Sequence, residues 1–239
     1  MYFSARTMQY RELNNELTIK TLKKLQLRIN DRFPDSGLLN VCAELLKVAE
    51  ESKSKIAFIS KPLIWLRITL ISLVVITFTI LFLTISTLNV ETGQFNMIDL
   101  ISIAEASIND LILIGAAIYF LAKTETRIKR NRALDALDEI RSIAHVIDMH
   151  QLTKDPKNIA ANDTENSPKR NMTLFELSRY LDYSSEMLAL CSKISALYAN
   201  GFKDEVVLQT INEIETLTTS LSRKIWQKIS VLDITKDLN

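Results

Sequence analysis

Hydrophobic positions along this chain fall into two regimes. From residue 68 to residue 122 no lysine or arginine occurs, and two apolar runs are separated by a short polar link. On either side, apolar residues recur at spacings of three and four among charged ones, the pattern of amphipathic helices. No strand-like alternation persists beyond a few residues. The pattern therefore predicts an all-α chain: a two-helix transmembrane hairpin carrying a cytoplasmic helical bundle.

The first apolar run is the clearer. Fourteen of the twenty-one residues Ile68 to Leu88 are Leu, Ile, Val or Phe, and the other seven are Ser or Thr. About 20 apolar residues cross a ~30 Å hydrocarbon layer. Fourteen such side chains favour insertion by on the order of 4 to 8 kcal/mol. Pro62 suits a first helical turn, Trp65 suits the interface, and Arg67 can extend back to the headgroups. The run follows a charged segment and is expected to act as an uncleaved anchor, not a signal peptide.

The second run, Leu111 to Ala122, covers only ~18 Å at 1.5 Å per residue. Spanning requires extension backward through Asp110, Asn109 and Glu105, because Lys123 follows. A carboxylate at mid-membrane costs about 2.5–3.5 kcal/mol. The spans are thus expected at about 66–88 and 101–122. A shorter tilted helix starting near Ser107 would instead place Asp110 among the outer headgroups. Asp99, Ser102, Ala106 and Asp110 share one helical face, with Glu105 and Asn109 beside it. This polar stripe is the candidate lining of an oligomeric pore or ion seam. Gly115, Ala116 and Ala117 would let helices approach closely.

The flanks set orientation. Lys53, Lys55, Lys61 and Arg67 precede the first span with no acid between Ser52 and Arg67. Lys123, Arg127, Lys129, Arg130 and Arg132 follow the second against Glu125 alone, and the link Asn89 to Asn96 has no basic residue. Positive flanks favour the cytoplasmic side, so both termini are expected there, with the loop around Gly93 outside. A bacterial inner membrane is the expected location. Beneath a bilayer the basic cluster reads as an anionic-lipid and orientation signal, and no nucleic-acid partner is expected.

Composition supports helices. Of 239 residues 47% are hydrophobic and 24% charged, with four Gly and four Pro, too few breakers for a sheet-rich fold. Residues 1–60 read as N-terminal cytoplasmic helices. A weaker one covers roughly 8 to 29, and a second, capped by Asp35 or Ser36, carries Leu38, Val41, Leu45, Val48 and Ser52 on one face. Residues 123–239 form the C-terminal region. It begins with a continuation of the second span to about His150, striped by Leu137, Ile140, Ala144 and Ile147. A polar, Pro-containing loop at 153–171 follows.

Thr173-Leu-Phe-Glu176 has the capping-box pattern and opens a helix ending at Asn200-Gly201. Positions 174, 177, 181, 184, 188, 191, 195 and 198 form one heptad stripe. Val207, Ile211, Ile214, Thr218, Leu221, Ile225, Lys228 and Leu232 form another. Polar intrusions into both favour a small bundle over an autonomous coiled coil.

Candidate chemistry is sparse. His145 and Asp148 are one helical turn apart, the only pair with metal-ligand spacing, while His150 lies off that face. Cys42 and Cys191 lie on apolar faces and read as free core thiols, and Trp226 reads as a packing anchor. No phosphate loop, nucleophile elbow or C-x-x-C pair occurs, so no enzyme activity and no cofactor are expected. The expected function is non-enzymatic: an oligomeric membrane protein whose helices bind a protein partner or sense a signal. A hairpin of two spans with helical extensions resembles, in architecture, the two-span SLATT-type effector proteins of bacterial conflict systems. The alternative function, drawn from the polar stripe and favoured further by this resemblance, is a cation-conducting or membrane-permeabilising pore lined by the Asp99/Asp110 face.

Overall fold

The computed structural model describes residues 13–87, 97–154 and 172–237. Among these residues all regular structure is helical: α1 (Asn15–Arg32), α2 (Gly37–Ser60), α3 (Ile64–Thr87), α4 (Met97–Leu152), α5 (Leu174–Gly201) and α6 (Glu205–Asp237). They form two compact units. One joins the chain up to Ser60 with the chain from Arg130 onward, and the other is Lys61–Lys129. The N-terminal helices and the C-terminal region, separate stretches in sequence, thus belong to one bundle.

Local signals account for the helix ends. Asn14 Oδ1 accepts from the Glu16 and Leu17 amides at 2.8 and 3.4 Å, satisfying two donors that a first turn leaves unpaired. That cap corrects the expected start near residue 8: Leu13 and Asn14 are not helical, and 8–12 lie outside the described residues. Pro34 follows α1, and Asp35 takes a left-handed conformation (φ 58°) that turns the chain. Of the two cap candidates Ser36 is used, its Oγ accepting from the Leu39 amide at 3.2 Å. The capping box at α5 is complete. Glu176 N donates to Thr173 Oγ1, and Thr173 N donates to Glu176 Oε2 at 2.8 Å.

The bundle is organised around α5, which packs against α1, α2 and α6. Leu177, Leu181, Ser184, Leu188, Cys191, Ser195 and Tyr198 are all buried, as the heptad stripe predicts. Tyr180, Tyr183, Met187, Leu190, Ile194 and Leu197 are buried as well, so α5 is covered on more than the one face the stripe marked. On α6 the stripe is buried from Val207 to Ile225 and at Leu232. From Arg130 onward α4 contributes Ala133, Ala136, Leu137, Ile140, Ala144 and Ile147 to the same core. Each fully buried Leu or Ile contributes about 1.5–3 kcal/mol of transfer free energy.

Hydrogen bonds account for two of the polar intrusions into the apolar stripes. Lys228 Nζ donates to the Gln151 carbonyl at 3.0 Å and to Gln151 Oε1, so the lysine caps the α4 C-terminus, where cations are favoured. Ser184 Oγ donates to the Tyr180 carbonyl within its own helix. Trp226 departs from expectation. It is 58% exposed, because the buried stripe passes through Ile225 and Ile229 and leaves position 226 outside.

In the second unit, Pro62 lies two residues before α3, and the Leu63 carbonyl accepts the first amides of that helix. Near its start, Glu125 of α4 accepts from the Leu63 amide at 3.4 Å and lies 3.9 Å from Arg67 and 2.8 Å from Lys129. Helix α4 is continuous from Met97 to Leu152. Its 56 residues extend about 84 Å at 1.5 Å per residue. Both helices are long and apolar enough to cross a membrane. Their large apolar side chains, among them Ile71, Phe78, Phe82, Leu111 and Phe120, are exposed.

Candidate functional site

The polar stripe from Asp99 to Asp110 lies wholly within α4. Glu105 and Asn109 are exposed and Asp110 is half-buried. The side chains of Asp99 and Ser102 lie outside the described residues, as does the loop around Gly93. A methyl group added at Gly115 would meet nothing within 4 Å. The small-residue patch expected to bring helices together is therefore uncovered in a single chain.

The basic cluster divides by position. Lys123 lies over the Tyr119 ring at 5.4 Å, and Arg127 is exposed. Lys129 pairs with Glu125 inside its own helix. Arg130 makes a two-pronged ion pair with Asp204 at 2.9 and 2.8 Å, and Arg132 stacks over Phe58 at 4.3 Å. Four of the five basic side chains thus have specific protein partners, three of them ion pairs or contacts beyond the Lys123–Tyr119 turn.

Asp204 also caps α6, its Oδ1 accepting from the Val206 and Val207 amides at 3.1 and 3.4 Å. The Arg130 guanidinium first, and these amides second, hold its carboxyl below the usual carboxylate range. Nearby, Ser60 Oγ donates to the Gly201 carbonyl at 2.9 Å. The two residues at which the chain leaves and re-enters the bundle, Ser60 and Arg130, therefore both bond the α5–α6 connection. Gly201 is helical, not a left-handed cap. A Cβ there would lie 2.5 Å from Ile56 Cγ2, so the glycine permits close approach of α5 to α2.

The metal candidates do not assemble a site. His145 is exposed, and Asp148 accepts from the Gln151 amide. Among the described residues no group of three His, Cys, Asp or Glu side chains is placed to hold an ion. His150 rests on Gly37 instead, where a Cβ would meet its Cε1 at 2.5 Å. Cys42 and Cys191 are buried. Burial pushes both thiols up to about 12, leaving them protonated and unreactive at neutral pH.

A feature absent from the sequence reading is an open groove of about 960 Å³ between α2 and α4. Gly37 and His150 meet at one end of it. At the other, Lys55 bridges Glu51 and Glu139 at 3.2 and 2.6 Å. Val41, Val48, Ile143 and Val146 give it an apolar floor. Glu44, Glu51, Asp135, Asp138 and Glu139 line it against Lys47 and His150. Glu51 and Glu139 are matched by Lys55 and Asp138 by Arg141, while Glu44 and Asp135 have no ion-pair partner among the described residues. Two helices nearly 100 residues apart build this surface, and neither alone carries a signal for it.

The chain matches no family model, no curated protein and no solved structure.

Proposed function

We propose that this chain is an oligomeric, non-enzymatic membrane protein. In this reading α3 and residues 101–122 of α4 cross the bilayer, and the helical bundle lies in the cytoplasm as an interaction or sensing domain. The observation that carries the reading is the uncovered apolar surface of α3 and the first half of α4. In water, exposed apolar surface on this scale is costly; in lipid it is matched. The basic flanks at Lys61, Arg67, Lys123 and Arg127 support an orientation with both termini inside, in a bacterial inner membrane. Lys123 and Arg127 remain the side chains suited to anionic headgroups.

Two spans cannot enclose a conduit, so any activity within the membrane requires several copies. Native mass spectrometry of the full chain in detergent tests the oligomeric part of the proposal. An assembly of two or more copies is the expected result, and a monomer at micromolar concentration overturns it.

The second reading, a cation-conducting or membrane-permeabilising pore of the SLATT type, draws support from one observation. Glu105, Asn109 and Asp110 lie on a helix whose small-residue stretch at Gly115 no other helix covers. Four or more copies would bring eight or more spans together around this stripe. Asp110→Asn then alters ion flux across liposomes while assembly persists, and unchanged flux removes Asp110 from the reading.

A further inference from the structure

The exposed face of α1 and the α2–α4 groove are complementary in charge, apolarity and length. Leu17, Lys20, Lys24 and Leu27 follow one another at spacings of three and four and are all exposed, so they form one stripe along α1. Leu17 and Leu27 are 47% and 63% exposed, apolar side chains that their own bundle does not cover. The neighbouring Lys23 and Arg28 are held by Glu50 and Glu186. Lys20 and Lys24 have no ion-pair partner among the described residues.

The groove presents the opposite character. Its two carboxylates without ion-pair partners, Glu44 and Asp135, stand above the apolar floor. From Gly37 to Glu51 it follows α2 for about 21 Å, and the α1 stripe from Leu17 to Leu27 covers about 15 Å. A helix laid in a groove with alternate apolar and charged anchors is an established mode of recognition.

We propose that α1 of one copy seats in the α2–α4 groove of a second copy. Lys20 and Lys24 meet Glu44 and Asp135, and Leu17 and Leu27 pack on the valines of the floor. This rests on the oligomeric reading above and names the contact that builds the oligomer. The donor helix and the acceptor groove are different surfaces, so the contact is head-to-tail. Its repetition closes into a ring if the rotation between copies allows, and otherwise continues as a filament.

Cross-linking of the full chain in detergent tests the contact. One tagged population carries Thr21→Cys, exposed beside the stripe, and a second carries Ser142→Cys; the buried Cys42 and Cys191 stay silent to a short bis-maleimide. The expected product is a heterodimer containing one of each tag. A synthetic peptide of residues 15–32 competes with it, and Glu44→Lys with Asp135→Lys in the second population lowers its yield at least tenfold. Lys20→Glu in the first population lowers the yield independently, should the groove variant fold poorly. Absence of the heterodimer while native mass spectrometry still finds an oligomer overturns this contact and leaves the oligomeric reading standing. A monomer overturns both. A heterodimer that survives the charge reversals, or that yields equally to any lysine-rich amphipathic peptide, overturns the pairing of α1 with the groove.

Discussion

Arg130 and Asp204, 74 residues apart, hold each other with both guanidinium prongs on both carboxylate oxygens. The Asp204 side chain is 7% exposed and that of Arg130 36%. The same carboxylate caps α6. One side chain thus performs two separable tasks, and substitutions can tell them apart. Asp204→Ala removes both the cap and the ion pair and should destabilise the bundle by about 1–3 kcal/mol. Asp204→Asn keeps a good cap and loses the charge, so about half that effect or less is expected. Chemical denaturation followed by circular dichroism measures both. Equal losses for Ala and Asn would assign the whole effect to charge.

The same pair sets an acid dependence. A carboxyl held below its unfolded value contributes stability that is complete above the ordinary range, about pH 4. That contribution is lost as pH falls through the lower folded value. Wild-type denaturation midpoints should therefore drop more steeply between about pH 5 and pH 2.5 than those of Asp204→Asn. Parallel pH profiles for the two proteins would remove Asp204 as a cause of acid lability.

Two glycines with equally close virtual contacts should respond differently to alanine. At Gly201 the Cβ meets Ile56 Cγ2 at 2.5 Å and the Ser60 hydroxyl at 3.2 Å. A branched side chain packed between helices gives way poorly, so Gly201→Ala should cost about 1–3 kcal/mol. Ile56→Ala should make that substitution nearly harmless. At Gly37 the obstacle is the ring of His150, at the end of a half-buried side chain that can swing away. The helical gain of alanine over glycine, about 0.5–1 kcal/mol, should leave Gly37→Ala close to neutral. Thermal melts of the three single variants and the Ile56→Ala/Gly201→Ala pair decide the matter.

Tyr198 is 2% exposed, and its hydroxyl has no hydrogen-bond partner among the described residues. Burial, and then the charges of Glu139 and Glu51, push its phenol above the ordinary range. Removing an unsatisfied buried hydroxyl relieves a desolvation cost of about 1–3 kcal/mol. Tyr198→Phe should therefore match or exceed wild-type stability in urea. A loss of more than about 1 kcal/mol would mean that the hydroxyl has a partner, such as a buried water.

The orientation proposal predicts a labelling pattern. Gly93→Cys in whole cells should react with a membrane-impermeant maleimide, and Lys203→Cys should react only after lysis. The natural cysteines, buried and protonated, contribute no background. Labelling of Lys203→Cys in intact cells would invert the topology.

The legible parts of this protein are those written within a few residues. Thr173 and Glu176 announce the start of α5, and the heptads through Leu188 and Ile214 mark buried faces. The uncharged run from Ile68 gives a helix fit for a bilayer. Other features depend on neighbours that the local sequence does not name. A stripe read at heptad spacing picks one face of α5 and misses Tyr183, Met187 and Ile194, although aromatic and aliphatic residues all round a helix are the signature of a central position. Trp226 reads as an anchor by size alone, yet its angle on α6 places it outside. Gly201 reads only as the end of a helix, and the proximity of Ile56 alone reveals its use. Arg130 joins its basic neighbours in a topogenic cluster until Asp204 arrives from another helix.

Because the bundle begins before residue 61 and resumes at residue 130, the order of synthesis matters. When α1 and α2 leave the ribosome, their apolar faces at Leu22, Ile29, Leu38 and Leu45 have no α5 to cover them. At roughly 5–20 residues per second, α5 follows α2 by about 7–30 seconds, and in the meantime the two apolar helices have emerged. Targeting of the proposed hairpin to its bilayer would thus precede closure of the bundle, and the half-made protein would expose a sticky pair of helices throughout that interval. A nascent chain stalled after residue 152 should depend on holding chaperones, whereas one extended past residue 237 should not.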